Sequence, residues 1–259
     1  MTYIILHNIF EMFVLYFRTH ISMSKNTLLR RILAKIKKIF IILFIAQLLY
    51  IILLKWVNPP ITITQLVSIG QGNGLKRDYV TMNQISRNAR LAIIASEDQL
   101  FPDHNGFDVK SIEKVITQGP KTSGRIRGAS TISQQVAKNV FLWQGRSWIR
   151  KGIEAYFTFM IEKIWGKKRI LEMYLNVAEM GKGIFGIEAA ARKYFNKSAL
   201  KLSKKEAAMI AACLPNPKKY IVKPPSRYIN QRYPWILRQM NNLDGDAEIE
   251  VLIEETKEL

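Results

Sequence analysis

The sequence has one cysteine, Cys213, so it can form no internal disulfide and no cysteine-based metal cluster. That cysteine lies in the apolar run Glu206-Ala-Ala-Met-Ile-Ala-Ala-Cys-Leu. A free thiol there behaves as a small hydrophobe, so a buried, inert side chain is expected, and the redox compartment stays open. Acid is also scarce: 20 Asp plus Glu face 39 Lys plus Arg, a formal net charge of +19. Such an imbalance implies a polyanionic partner, whether nucleic acid, anionic lipid headgroups or a phosphorylated substrate. Internal repeats and long alternating strand patterns are missing too, which points to a mostly α domain. The 259 residues, 48% of them hydrophobic, supply a core for one ordinary domain plus extras, so wholesale disorder is excluded.

Charge is absent from residues 39–54, Ile-Phe-Ile-Ile-Leu-Phe-Ile-Ala-Gln-Leu-Leu-Tyr-Ile-Ile-Leu-Leu. Extending through Lys55 and Trp56 to Val57 gives about 19 residues, near the ~20 that cross a bilayer core. Lys55 can snorkel and Trp56 suits the headgroup belt. Arg30, Arg31, Lys35, Lys37 and Lys38 crowd the preceding side, so the positive-inside bias predicts a cytoplasmic N-terminus and an exported remainder. A cleaved signal peptide is the alternative, but the apolar run is too long and no small-residue cleavage site follows. Residues 1–22 make a poor second span, because His7 and Glu11 interrupt them. Met23 opens a more ordinary basic leader, and translation is expected to start there. The predicted order is leader 1–38, span 39–57, linker 58–85, catalytic domain 86–240 and a solvated acidic tail 241–259.

Asn58-Pro59-Pro60 ends the span. The stretch from Ile61 to Val67 alternates weakly and reads as a short strand. From about Ser86 onward the period is helical. Asp108 is a candidate cap for a helix over 109–118. Thr131-Ile-Ser-Gln134 has the capping-box pattern, as does Ser203-Lys-Lys-Glu206. Ser147 precedes a long apolar stripe carrying Ile149, Ile153, Tyr156, Met160 and Ile164, with Gly166 as its stop.

Three segments carry candidate chemistry. In Glu97-Asp-Gln-Leu-Phe-Pro-Asp-His-Asn-Gly-Phe-Asp108, acids follow directly on the apolar run 91–96. A carboxylate there can be desolvated into a base near neutral pH, or can simply be a solvated helix end. In Arg127-Gly-Ala-Ser-Thr-Ile-Ser-Gln-Gln-Val-Ala-Lys-Asn139, Ser130, Thr131, Gln134 and Gln135 surround a helix N-terminus, a natural seat for an anion. Exposed Gln pairs are equally ordinary. In Arg146-Ser-Trp-Ile-Arg-Lys-Gly-Ile-Glu154, Arg150 and Glu154 lie one turn apart. That spacing fits a surface ion pair worth about 0.3–0.5 kcal/mol or a clamp for a phosphorylated leaving group.

Taken together these segments resemble the ordered motifs of glycosyltransferase family 51, the peptidoglycan glycosyltransferases. Glu97-Asp98 with Phe101, His104 and Gly106 matches the first motif. Gly128-Ala-Ser-Thr-Ile-Ser-Gln-Gln with Lys138-Asn139 matches the second, with Ala129 where Gly is common. Arg150-Lys-Gly-Ile-Glu154 matches the third. The stretch 167–176, with Glu172, Tyr174 and Asn176, matches the fourth, and Gly186-Ile-Glu-Ala-Ala-Ala-Arg-Lys-Tyr-Phe195 matches the fifth. The resemblance runs from about Ser86 to Met240. Ser111-Ile-Glu-Lys114 has Ser-x-x-Lys spacing without its partner motifs, and the chain past Met240 is too short for a transpeptidase domain. The resemblance is therefore to the monofunctional kind within the family.

The resemblance implies a lysozyme-like, mostly α glycosyltransferase domain preceded by one transmembrane helix. It implies transfer between two undecaprenyl-pyrophosphate-linked sugars, with lipid II as acceptor and a β-1,4 link formed with inversion. By analogy Glu97 is the base and Glu154 a positioning carboxylate. Lys138, Arg146 and Arg150, with Lys151, would hold the departing diphosphate, and Ser130, Gln134 and Gln135 would bind substrate. His104, Glu172, Tyr174, Asn176, Gly186 and Ala189 belong to the motifs and can equally serve packing. No metal-ligand set is visible, although the resemblance leaves room for Mg²⁺ or another divalent cation at the pyrophosphate. Residues 110–127 are similar to the family's membrane-touching region. Inner-membrane lipids and cell-wall synthesis proteins are the remaining candidate partners, and export argues against nucleic acid. A glycan-cleaving hydrolase on the same scaffold is the main rival, but it has no use for a cationic pocket. A catalytically dead anchor is the other, and intact Glu97 and Glu154 speak against it.

Overall fold

The computed structural model describes residues 27–109, 113, 130–145 and 147–254. The chain divides into two units, residues 1–50 and 51–259. The first is described from Thr27 and consists of most of helix α1 (Thr27–Leu53). Its stretch Leu29–Leu53 is long and apolar enough to cross a membrane. At 1.5 Å per residue it spans about 37 Å, more than a ~30 Å hydrocarbon core. Ile39, Phe40, Ile42, Leu43 and Ile45 are exposed, so protein does not cover this apolar surface. The helix takes in the basic residues from Arg30 to Lys38 and ends at Leu53, short of the expected Val57, where residues 54–56 form a turn.

In the second unit the strand expected over residues 61–67 is instead helix α2 (Ile63–Gly70). The Thr62 hydroxyl accepts from the Gln65 N–H, while the Gln65 side chain accepts from the Thr62 N–H at 3.1 Å. This capping box outweighs the weak alternation of apolar residues. Helix α3 (Arg87–Glu97), capped by Ser86, is the central rod: Ala89 and every residue from Leu91 to Ala95 are buried.

Helices α4 (Ile132–Phe141), α5 (Trp148–Ile164) and α6 (Lys167–Val177) form a layer in which α4 packs on both others. The predicted capping box at Thr131 and Gln134 is present, and Ser147 caps α5. Helix α7 (Ile187–Phe195) follows, then α8 (Lys204–Ala211), whose Ser203–Glu206 box is also as expected. Helices α8 and α9 (Arg227–Leu243) pack against α3. Cys213 is buried, with its thiol on the Met180 carbonyl, and burial pushes its pKa up.

The expected solvated tail is partly a folded element. Asp246 caps helix α10 (Ala247–Ile253), which buries Ile249, Leu252 and Ile253. Its carbonyl Ile253 accepts from the buried guanidinium of Arg90, which also donates to Met82 and Ile85 carbonyls. The acids have basic partners: Asp244 pairs with Arg87 at 2.7 Å and with Lys204 at 3.0 Å.

A small sheet, too short to leave a pattern in the sequence, joins β1 (Lys76–Arg77), β3 (Ile184–Phe185) and β2 (Glu179–Gly181) in that order. Strand β3 is parallel to β1 and antiparallel to β2. Three motif residues hold the segment beside it. Asn176 bonds both the N–H and the carbonyl of Val80 at 2.9 Å, and Glu172 accepts from the Met82 N–H at 2.9 Å. Gly186 has φ +85, and a Cβ there would stand 2.6 Å from the Asn176 carbonyl oxygen. Their observed contacts are structural.

Candidate active site

Glu97 is the last residue of the buried rod α3, and it is half-buried. The Gln135 amide N–H donates to its carboxylate at 2.8 Å, and the Tyr174 hydroxyl donates to the Gln135 amide oxygen at 3.2 Å. This chain fixes which end of the Gln135 amide faces Glu97. The protein crowding around Glu97 raises its pKa. Hydrogen bonds from Gln135 and Ser96 and the charge of Arg232 oppose that rise, while Asp98 adds to it. A base with an elevated pKa is what removal of a sugar hydroxyl proton near neutral pH requires.

Asp98, next along, does a different job. It caps α3, and its carboxylate accepts from the Ile132 N–H at 2.9 Å and from His104 Nε2 at 3.0 Å. The other ring nitrogen accepts from the Gly106 N–H at 3.1 Å. The anion expected at the α4 N-terminus is thus the protein's own Asp98, and the favourable helix-end field tethers α3 to α4. Gln134 is buried, and its amide oxygen accepts from the Thr131 N–H in the capping box. Ser130 stands half-buried immediately before that cap.

Gln135 and Lys138 lie three apart on α4, on adjacent turns of one face, and both line a cleft of ≈ 410 Å³. Among the described residues the Lys138 ammonium makes no hydrogen bond or ion pair. Burial lowers its pKa; Arg150 and Lys151 push the same way, and Glu154 and Glu97 oppose them. Lys138 therefore feels both carboxylates that the sequence singled out.

The other cations come from α5. Arg150 is buried and donates to Glu154 at 2.7 Å, and Lys151 also donates to Glu154. The surface ion pair is in fact a buried one. Three cations, Lys138, Arg150 and Lys151, act on the single charge of Glu154, and the buried Arg150 Nε has no hydrogen-bond partner among the described residues. Such an orphan costs about 1–3 kcal/mol unless a ligand meets it. Arg146 and, apart from residue 113, the segment 110–127 lie outside the described residues.

Sequence reasoning missed two charged groups. Arg232 on α9 stacks on Trp235 at 3.8 Å and acts on Glu97, yet it sits more than a hundred residues away in a helix without a motif. Glu179 on β2 lines the same cleft as Lys138. A strand too short to recognise conceals it. Among the described residues no three His, Cys, Asp or Glu side chains gather to hold a metal.

A helical scaffold of lysozyme-like type, with a crowded glutamate held by Gln135 and a cleft-lining Lys138 that feels it together with the α5 cations, defines a glycosyltransferase. Residues 64–241 match the Transglycosylase family. A biosynthetic peptidoglycan transglycosylase of Escherichia coli (strain K12 / DH10B) is 59% identical over 169 residues, 65% of this chain and 70% of that protein. The protein of that name from Shigella boydii serotype 4 (strain Sb227) shows the same identity and coverage. The chain belongs to the transglycosylase family.

Proposed function

We propose that this chain polymerises lipid II into β-1,4-linked glycan strands with release of undecaprenyl pyrophosphate. The observation that carries the proposal is the pairing of one crowded, proton-accepting carboxylate, Glu97, with Lys138 in a field shared by Arg150, Lys151 and Glu154. Glu97 takes the proton of the acceptor 4-hydroxyl. The oxygen bonds to the anomeric carbon of the growing strand as that carbon's bond to the diphosphate breaks on the opposite face. Negative charge grows on the leaving group, so cations placed there stabilise the transition state more than the ground state. Lys138, Arg146 and Arg150 are the chief candidates, and Lys151 is a lesser one. Each charge-assisted hydrogen bond contributes about 1.5–3 kcal/mol. Glu154 aligns the α5 cations.

For a divalent cation the described side chains offer no ready seat, since Asp98 and Glu154 are already engaged. The apolar helix Leu29–Leu53, with its basic residues confined to the N-terminal part from Arg30 to Lys38, supports a single-pass inner-membrane anchor with the catalytic domain outside. That location keeps the enzyme in the plane of its lipid-linked substrate. Incubation with lipid II tests the proposal: glycan polymer and undecaprenyl pyrophosphate are expected. Failure to make polymer, with existing murein cut into fragments instead, overturns it in favour of a hydrolase.

A further inference from the structure

The cleft that contains Lys138 is also lined by a carboxylate, Glu179, that takes no part in the proton transfer or in holding the diphosphate. Glu179 opens β2, and its Oε1 accepts from the Gly183 N–H at 3.1 Å across the β2–β3 turn. That turn is rigidly seated. The Gly183 carbonyl accepts from the Lys76 N–H at 2.7 Å, and Gly183 has φ +68 with Asn73 O only 2.1 Å from where a Cβ would be. One carboxylate oxygen is thereby fixed to the backbone. The other, Oε2, makes no hydrogen bond among the described residues although Glu179 lines the cleft.

The surroundings have a definite chemistry. Lys218 and Asn216 come from the turn after α8 and Gln71 from the end of α2, and Lys218 donates to Gln71 at 3.0 Å. Val67 and Pro215 add apolar wall. Hydrogen-bonding groups of both kinds beside an apolar wall suit a pyranose, which has a face of C–H groups and a rim of hydroxyls and amide N–H. Burial raises the Glu179 pKa, opposed by the Gly183 N–H and by the charge of Lys218, so this acceptor is set in a desolvated position.

We propose that Glu179 is a substrate-binding residue whose free Oε2 accepts a hydrogen bond from a hydroxyl or amide N–H of a sugar in the cleft. The inference rests on the glycan-polymerising reading. The sugar belongs either to the growing strand or to the acceptor lipid II, which offer the same donors.

Glu179→Gln separates binding from folding. The Gly183 N–H keeps the amide oxygen, so the amide NH₂ takes the place of Oε2 and presents a donor where an acceptor is needed. The KM for lipid II should rise about tenfold, the effect of losing one hydrogen bond to a charged group, with kcat little changed. Shortened product strands would assign the sugar to the growing strand; a KM effect with strand length preserved would assign it to the acceptor. Glu179→Ala should show the same rise, and circular dichroism with Tm verifies that both variants fold. If the unmodified protein polymerises lipid II and both folded variants match it in KM and strand length, the inference is overturned. If the unmodified protein makes no polymer, the reading on which it rests fails first.

Discussion

At the scale of single residues, Glu97 combines a cost and a use. Its folded-state pKa lies above the ordinary carboxylate value, so between the two values the folded protein holds more protons than the unfolded chain. Stability therefore falls as pH rises through that window. Glu97→Gln removes the charge and should raise Tm at neutral and alkaline pH, with the difference shrinking as pH falls below the ordinary carboxylate range. An equal Tm across that range would contradict the crowding described. The same raised pKa puts the acid limb of the kcat profile above the usual carboxylate range. Because the Gln135 hydrogen bond lowers the Glu97 pKa, Gln135→Ala should move that limb to still higher pH, as a pH–rate series would reveal. Much of this site was legible in the sequence, since Glu97, Lys138, Arg150 and Glu154 occupy motif positions. Arg232 was not legible, because a charge contributed by a distant helix leaves no local spacing. Gln134 was legible as the capping partner of Thr131, a role that the structure shows.

At the scale of elements, the site depends on how α3 meets α4. Asp98 joins them through the Ile132 N–H and His104, both at about hydrogen-bond length and within a buried setting. Asp98→Ala leaves those donors unmet, and each orphaned group costs about 1–3 kcal/mol. Denaturant unfolding should show that loss, and kcat should drop as Gln135 shifts, although Glu97 itself is untouched. The helices around this joint were readable from caps and periodicity. Helix α2 was not, because a window of a few residues from 61 alternates as a strand would, and only the Thr62–Gln65 box decides otherwise. The acidic residues after Asp244 looked solvated because their basic partners, Arg87 and Lys204, are far away in sequence.

At the scale of the whole molecule, the body from residue 51 onward includes the end of the apolar helix. Ile51 and Leu54 are fully buried, Trp165 Nε1 donates to the Ile51 carbonyl at 2.8 Å, and Arg169 donates to the Leu54 and Val57 carbonyls. A truncated protein that starts at Tyr50 should leave the membrane fraction yet keep its fold. One that starts at Asn58 loses both buried side chains, at about 2–5 kcal/mol each by analogy with large-to-small core changes, and should unfold at lower denaturant. The positive charge of the chain, +19 overall, should also make the KM for the anionic lipid substrate rise with ionic strength.

The central claim is that Glu97 accepts the proton while cations on α4 and α5 receive the diphosphate. Measuring lipid II turnover and lipid II binding side by side for Glu97→Gln tests it most directly. Loss of all detectable polymer with binding retained is the predicted result. Full turnover in a folded Glu97→Gln protein would contradict it.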